Sequence, residues 1–105
     1  MISSLTCYST NTLLEVIHII NENGKGVCFV VDQQNRLTGV VTDGDIRRSI
    51  LNNVSLDSSI SEIVSSNFVF GTESDSYEDL FSKLDKKIRI IPIIDKDGKV
   101  VDYLE

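Results

Sequence analysis

The sequence predicts an α+β fold built from a duplicated unit, and three observations carry that reading. Residues 27–31 are a continuous apolar run rich in β-branched side chains, the mark of a strand buried on both faces, and 88–94, isoleucine-rich around Arg89 and Pro92, reads as its buried counterpart. Each run ends on an aspartate that opens a polar turn, Asp32 in one case and Asp95 in the other, 63 positions apart. Each is preceded by a helix-cap signal with an acid three residues on, Thr12 with Glu15 and Ser76 with Asp79. Strand, helix, strand, strand therefore occurs twice.

The elements follow in order. Thr6–Tyr8 reads as a short strand. Leu13, Val16, Ile17 and Ile20 form a helical stripe, which Asn21, Asn23, Gly24 and Gly26 bring to an end. Residues 27–31 form a strand, 32–36 a turn and 37–41 a second strand, a spacing that suits a hairpin. Ile46, Ile50 and Leu51 predict an apolar stripe on the helix that follows. Residues 52–59 are a polar connector, and 60–64 make one helical turn. The second copy brings a strand at 68–70, a helix with the stripe Tyr77, Leu80, Phe81 and Leu84, and strands at 88–94 and 100–104. We divide the chain into repeat one, about 1–58, and repeat two, about 59–105. The two units are too small for separate cores and are expected to pack about a pseudo-two-fold axis. Asp102 stands where Gly39 stands and Glu105 where Thr42 stands, so repeat two is truncated and the chain reads as the front part of a longer protein.

Composition narrows the function. The 105 residues carry a net charge of −6, which disfavours nucleic acid and anionic membranes as partners. No apolar run approaches the ~20 residues of a membrane span, and the polar stretch 1–11, without a basic residue, is no signal peptide. Cys7 and Cys28 fit no metal or redox spacing and read as reduced thiols of a cytoplasmic protein. His18, the single histidine, has no partner for catalysis. Asp95-Lys96-Asp97-Gly98 fails as a calcium loop, because Lys99 takes a ligand position and the glycine comes too early. No phosphate loop and no nucleophile elbow occur. Arg36, Arg47, Arg48 and Arg89 are too interspersed with acids to form a nucleic-acid face. Phe68 and Phe70 read as core packing rather than a stacking platform.

One stretch does carry chemistry: Gly39-Val40-Val41-Thr42-Asp43-Gly44-Asp45-Ile46-Arg47-Arg48, the end of a strand, a tight turn and the first turn of a helix. The free N–H groups and dipole of that helix end favour an anion. Gly39 admits a close approach. Asp45 can accept hydrogen bonds from two neighbouring hydroxyls, such as a ribose presents. Arg47 or Arg48 can offset the repulsion of Asp43 and Asp45 toward phosphate. The same residues also serve as plain capping groups, with Arg48 pairing Asp45.

Gly39-x-x-Thr42-x-x-Asp45 after Val30-Val31-Asp32, together with Arg89-Ile90-Ile91-Pro92-Ile93-Ile94-Asp95, resembles a cystathionine-β-synthase (CBS) domain pair over nearly the whole chain. The string Thr42-Asp43-Gly44-Asp45-Ile46-Arg47-Arg48 is similar to the pairs attached to sugar-phosphate isomerases and sugar nucleotidyltransferases, most of all to the N-terminal module of the latter. The resemblance implies tandem β-α-β-β-α repeats and a non-catalytic regulatory module. It implies an adenine nucleotide (AMP, ADP or ATP) in the cleft, with no metal and no resident cofactor. Asp45 would hold the ribose, Thr42 would meet a phosphate, and Val40, Ile91, Pro92 and Ile93 would hold the base. A homodimer and a downstream enzyme domain are the implied partners. The competing reading is a dimerisation module in which Thr42 and Asp45 are caps only.

Overall fold

The computed structural model describes residues 2–64 and 67–105. Met1, Ser65 and Ser66 lie outside the described residues. The chain forms two three-stranded sheets. The first holds β1 (Thr6–Tyr8), β2 (Val27–Val31) and β3 (Leu37–Thr42), with α1 (Leu13–Asn23) between β1 and β2 and α2 (Asp43–Leu51) after β3. The second holds β4 (Gly71–Thr72), β5 (Ile91–Ile94) and β6 (Val100–Leu104), with α3 (Tyr77–Ser82) between β4 and β5. In each sheet the middle strand runs parallel to the first and antiparallel to the third.

The duplication holds at the level of register. Val30 pairs with Gly39 as Ile93 pairs with Asp102, and Cys28 with Val41 as Ile91 with Leu104. Both hairpins carry their irregularity at the same step, between Val30 and Val31 and between Ile93 and Ile94. The turns match as well. Asp32 Oδ1 accepts from the amides of Gln34 and Arg36, and Asp95 Oδ1 from those of Asp97 and Lys99. Asn35 and Gly98 both take positive φ at equivalent turn positions. The two turns meet through reciprocal bonds, Leu37 N to Gly98 O at 2.9 Å and Val100 N to Asn35 O at 3.1 Å. A pseudo-two-fold axis passes between them.

β2 is buried at all five positions because its two faces serve different cores. Cys28 and Val30 face α1 and α2, packing with Cys7, Leu13, Val16, Ile20, Val41 and Ile46. Val27, Phe29 and Val31 face the other sheet, packing with Leu5 and Val100 and with half-buried Leu37, Val40, Ile90, Ile94 and Tyr103. That second cluster is largely made of equivalent pairs, Val27 with Ile90, Val31 with Ile94, Leu37 with Val100 and Val40 with Tyr103. Each sheet thus supplies the cover that the other needs. Cys7 and Cys28 are both free and buried. A hydrogen bond with Cys7 and burial push the Cys28 thiol up, so it stays protonated as a small core residue.

Several sequence expectations shift. The strand expected at 68–70 forms instead at Gly71–Thr72, and the run 88–94 is strand only over Ile91–Ile94. The first sheet pairs Thr6 with Phe29; the equivalent pair would be Phe70 with Pro92, and proline has no N–H to give a ladder. On α2, Ile46 and Ser49 are buried, while Ile50 and Leu51 are 51% and 74% exposed. Ser49 is tolerated inside because its hydroxyl donates to Asp45 O at 2.9 Å. On α3 only Leu80 is buried; Tyr77 and Phe81 stack on each other in the open. The turn Ile60–Glu62 forms as expected and sends Ile60 into the core of the first unit. Phe70 and Val69 are exposed, which corrects the reading of the phenylalanine pair as core packing.

Candidate functional site

The site is built at the junction of β3 and α2. Thr42 leaves the strand with extended backbone and caps α2. Its Oγ1 accepts from Asp45 N at 3.2 Å, while Asp45 Oδ2 accepts from Thr42 N at 2.9 Å and from Thr42 Oγ1 at 3.1 Å. Two orphan amides are thereby satisfied reciprocally. The remaining oxygen, Asp45 Oδ1, accepts from Arg48 Nη2 at 2.8 Å. These are the contacts of the capping reading, with Arg48 pairing Asp45; the ligand reading shares the same residues. The two readings differ in what holds Oδ1. The Arg48 side chain is largely exposed, and exposed ion pairs contribute only about 0–1 kcal/mol. Ligand hydroxyls can therefore displace Arg48 from Oδ1 at small cost. Thr42 can turn its hydroxyl to an anion only by giving up its bond to Asp45 Oδ2.

The other named residues divide by face. Gly39 is buried opposite Val30. Val40 lies on the inter-sheet face, two residues before Thr42 and on the same side of β3. In β5, Pro92 is buried between Ile90 and Ile94, which pack in the inter-sheet core, so Ile91 and Ile93 point to the opposite face. Of the residues proposed to hold a base, Val40 and Pro92 share the inter-sheet side, and Ile91 and Ile93 do not. Asp43 donates its amide to Gly26 O and lines a groove of about 330 Å³ with Ile17, Ile20 and Ile46, between α1 and α2. Arg47 is exposed on α2 and makes no ion pair among the described residues.

A crevice of about 380 Å³ opens between the two units, lined by Leu37, Thr38, Phe68, Phe70, Ile94 and Gly98. The Asp32–Arg36 ion pair, 2.9 Å long, stands at its rim. Thr38 is the residue of β3 that continues the Val40 and Thr42 face toward this crevice. Sequence reasoning missed Phe68 and Phe70 here. The available signal was Pro92, which shortens the neighbouring ladder and leaves 68–70 free to line the opening.

The profile of the CBS domain matches residues 1–52 and 60–104. The chain belongs to the CBS domain family. Among relatives by sequence, an uncharacterized protein RP505 of Rickettsia prowazekii is 32% identical over 88 residues, 84% of this chain and 28% of its own length. Arabinose 5-phosphate isomerase GutQ of Salmonella typhi is 27% identical over 90 residues, 85% of this chain and 28% of the isomerase. The CBS chain thus spans little more than a quarter of these relatives. Among solved structures, the CBS domain protein PAE2072 from Pyrobaculum aerophilum, complexed with AMP, superposes with a TM-score of 0.84 at 23% identity, covering 96% of this chain and 79% of that one. The CBS domain pair of protein MJ0100, in complex with 5′-methylthioadenosine and S-adenosyl-L-methionine, gives 0.81 at 24%, covering 95% and 82%. At these identities the structural likeness establishes the fold. No described helix is long and apolar enough to cross a membrane.

Proposed function

We propose that this CBS pair is a non-catalytic regulatory module that binds an adenine nucleotide, AMP, ADP or ATP, between its repeats. The observation that carries the reading is the Asp45 carboxylate, fixed on the first turn of α2 with one oxygen held, among the described residues, only by exposed Arg48. In this reading Asp45 takes the ribose hydroxyls, and Thr42 with the α2 N-terminus takes a phosphate. Arg47 and Arg48 offset the acids around it. Val40 and Pro92, on the inter-sheet side, offer apolar contact to the base, while Gly39 faces the helix-side core and stands outside this contact. Two structural neighbours, complexed with AMP and with adenosine-derived ligands, support the choice of ligand class.

The module would act on an attached enzyme domain by shifting a conformational equilibrium that the nucleotide biases. A sugar nucleotidyltransferase is the domain we favour, in a cytoplasmic protein; the match to an isomerase that acts on a sugar phosphate supports a sugar-phosphate enzyme more broadly. The second reading, a homodimerisation module without ligand, is favoured by the exposed Ile50, Leu51, Tyr77 and Phe81.

Calorimetric titration decides between them. Under the sensor reading AMP or ATP gives saturable heat that Asp45→Ala abolishes, while the elution volume on a sizing column stays the same. No heat at millimolar AMP, ADP and ATP overturns it.

A further inference from the structure

The aromatic wall of the crevice is held from outside. Residues 68–70 belong to no strand, and the rings of Phe68 and Phe70 stand 5.9 Å apart with their planes at 53°. Two contacts from α3 fix the end of this segment. Gly71 lies under Leu80, with no room for a Cβ between them. One residue earlier, Lys83 at the end of α3 donates from Nζ to Phe70 O at 2.8 Å. The same ammonium stands 3.4 Å from Asp75 Oδ2, which also accepts from Thr72 N at 2.9 Å. The Thr72 amide and the Lys83 ammonium hold Asp75 below its ordinary range, so the pair stays charged. The first unit has no such device. Counted from the helix caps, Asn11 stands in the place of Asp75 and Ile19 in that of Lys83. Asn11 Oδ1 accepts from Tyr8 N at 2.7 Å as Asp75 does from Thr72, but Ile19 packs against the core and donates nothing. Thr6, which matches Phe70, is held instead by its strand pairing with Phe29.

We propose that Lys83 is a positioning residue for the crevice. By holding the Phe70 carbonyl it sets where the two rings lie against Leu37, Thr38 and Ile94, and so the fit of a flat apolar ring between the units. A wall fixed before binding spares the ligand the cost of ordering it. The lysine gives its hydrogen bond to a carbonyl and its charge to Asp75, so it acts through Phe70 rather than by pairing with a ligand phosphate. That the ring is a nucleotide base rests on the function proposed above; the hold on the wall does not.

Two measurements on one pair of variants test it. In the free chain the phenylalanine rings shift the methyl resonances of Leu37, Thr38 and Ile94 through their ring currents. Lys83→Met should move those methyl signals, and Lys83→Arg, which keeps a cationic donor, should leave them as in the parent chain. Signals that stay in place in Lys83→Met, or that move equally in both variants, overturn the proposal. In calorimetric titration Lys83→Met should weaken adenosine, which has no phosphate, and AMP by the same factor, about fivefold, and Lys83→Arg should restore both. A loss confined to AMP makes Lys83 a phosphate contact and overturns the positioning role. If neither ligand binds the parent chain, the nucleotide reading fails alone, and the methyl signals still decide the role of Lys83.

Discussion

Leu13 and Tyr77 open the equivalent helices of the two units, yet Leu13 is 0% exposed and Tyr77 67%. The helices enter with the same cap chemistry, Thr12 for α1 and Ser76 for α3. What differs is the cover above them. In the first unit α2 lays Ile46 on the sheet, and the segment after it closes the end. Leu13 N donates to Ser58 O, Ile60 N donates to Asn11 O, and Thr12 bridges Ser59. Among the described residues nothing does this for the second sheet. Burial of a helix face is thus set by what packs over it more than by its own apolar pattern.

A second contrast lies beneath the helices. Cys7 and Val16 in one unit correspond to Gly71 and Leu80 in the other. A Cβ on Gly71 would collide with Leu80 Cδ2, so the larger leucine fills the room that the cysteine side chain takes in the first unit. Volume is conserved across the pair, not at either position.

The largest expected effect is Leu13→Ala, which should cost about 2–5 kcal/mol in urea denaturation. Tyr77→Ala at the matching position should stay within about 0.5 kcal/mol. Equal losses would break the contrast. Gly71→Ala should cost about 1–3 kcal/mol through overpacking, and Leu80→Val in the same chain should return part of it. Thr42→Ala should cost about 1 kcal/mol as a lost cap, with Ser76→Ala close to it; thermal denaturation of the pair compares the two helix ends.

The smallest effects are those of pH. Asp32 is held below its ordinary range by the Arg36 amide and guanidinium, Asp75 by the Thr72 amide with Lys83, and Asp85 by the Ile88 and Lys87 amides. Their stabilisation is complete above the unfolded-state value of 3.8 and disappears as pH falls through the lower folded values. Stability should decline below about pH 4, and less steeply in Asp32→Asn. Lys25, whose Nζ donates to Glu105 Oε1 at 2.8 Å, has the opposite sign. Its contribution is full below 10.5 and is lost as pH rises through the raised folded value. Glu105→Gln should flatten that alkaline limb.

Much of the fold could be read from local chemistry. The caps at Thr12, Thr42 and Ser76, the run 27–31 and the two aspartate turns each depend on neighbours within four residues, and all form where expected. The misplaced strand at 68–70 traces to Pro92, whose effect reaches across the sheet rather than along the chain. Ile50 and Leu51 fit the helical period but fall at the end of α2, while Ser49 takes an interior place that an apolar count passes over. At the site, the spacing of Thr42, Asp45 and Arg48 foretells their contacts, since all lie within two turns of one helix. The Lys25–Glu105 bridge and the crevice beside Phe68 and Phe70 join distant segments, and no local pattern marks them.

Mapping AMP onto the amides of the chain addresses the nucleotide reading most directly. Perturbations are predicted to cluster at Gly39–Ile46 and around Pro92, to saturate at one AMP per chain, and to vanish in Asp45→Ala. A saturable response centred on other residues, or one that Asp45→Ala leaves intact, would contradict it.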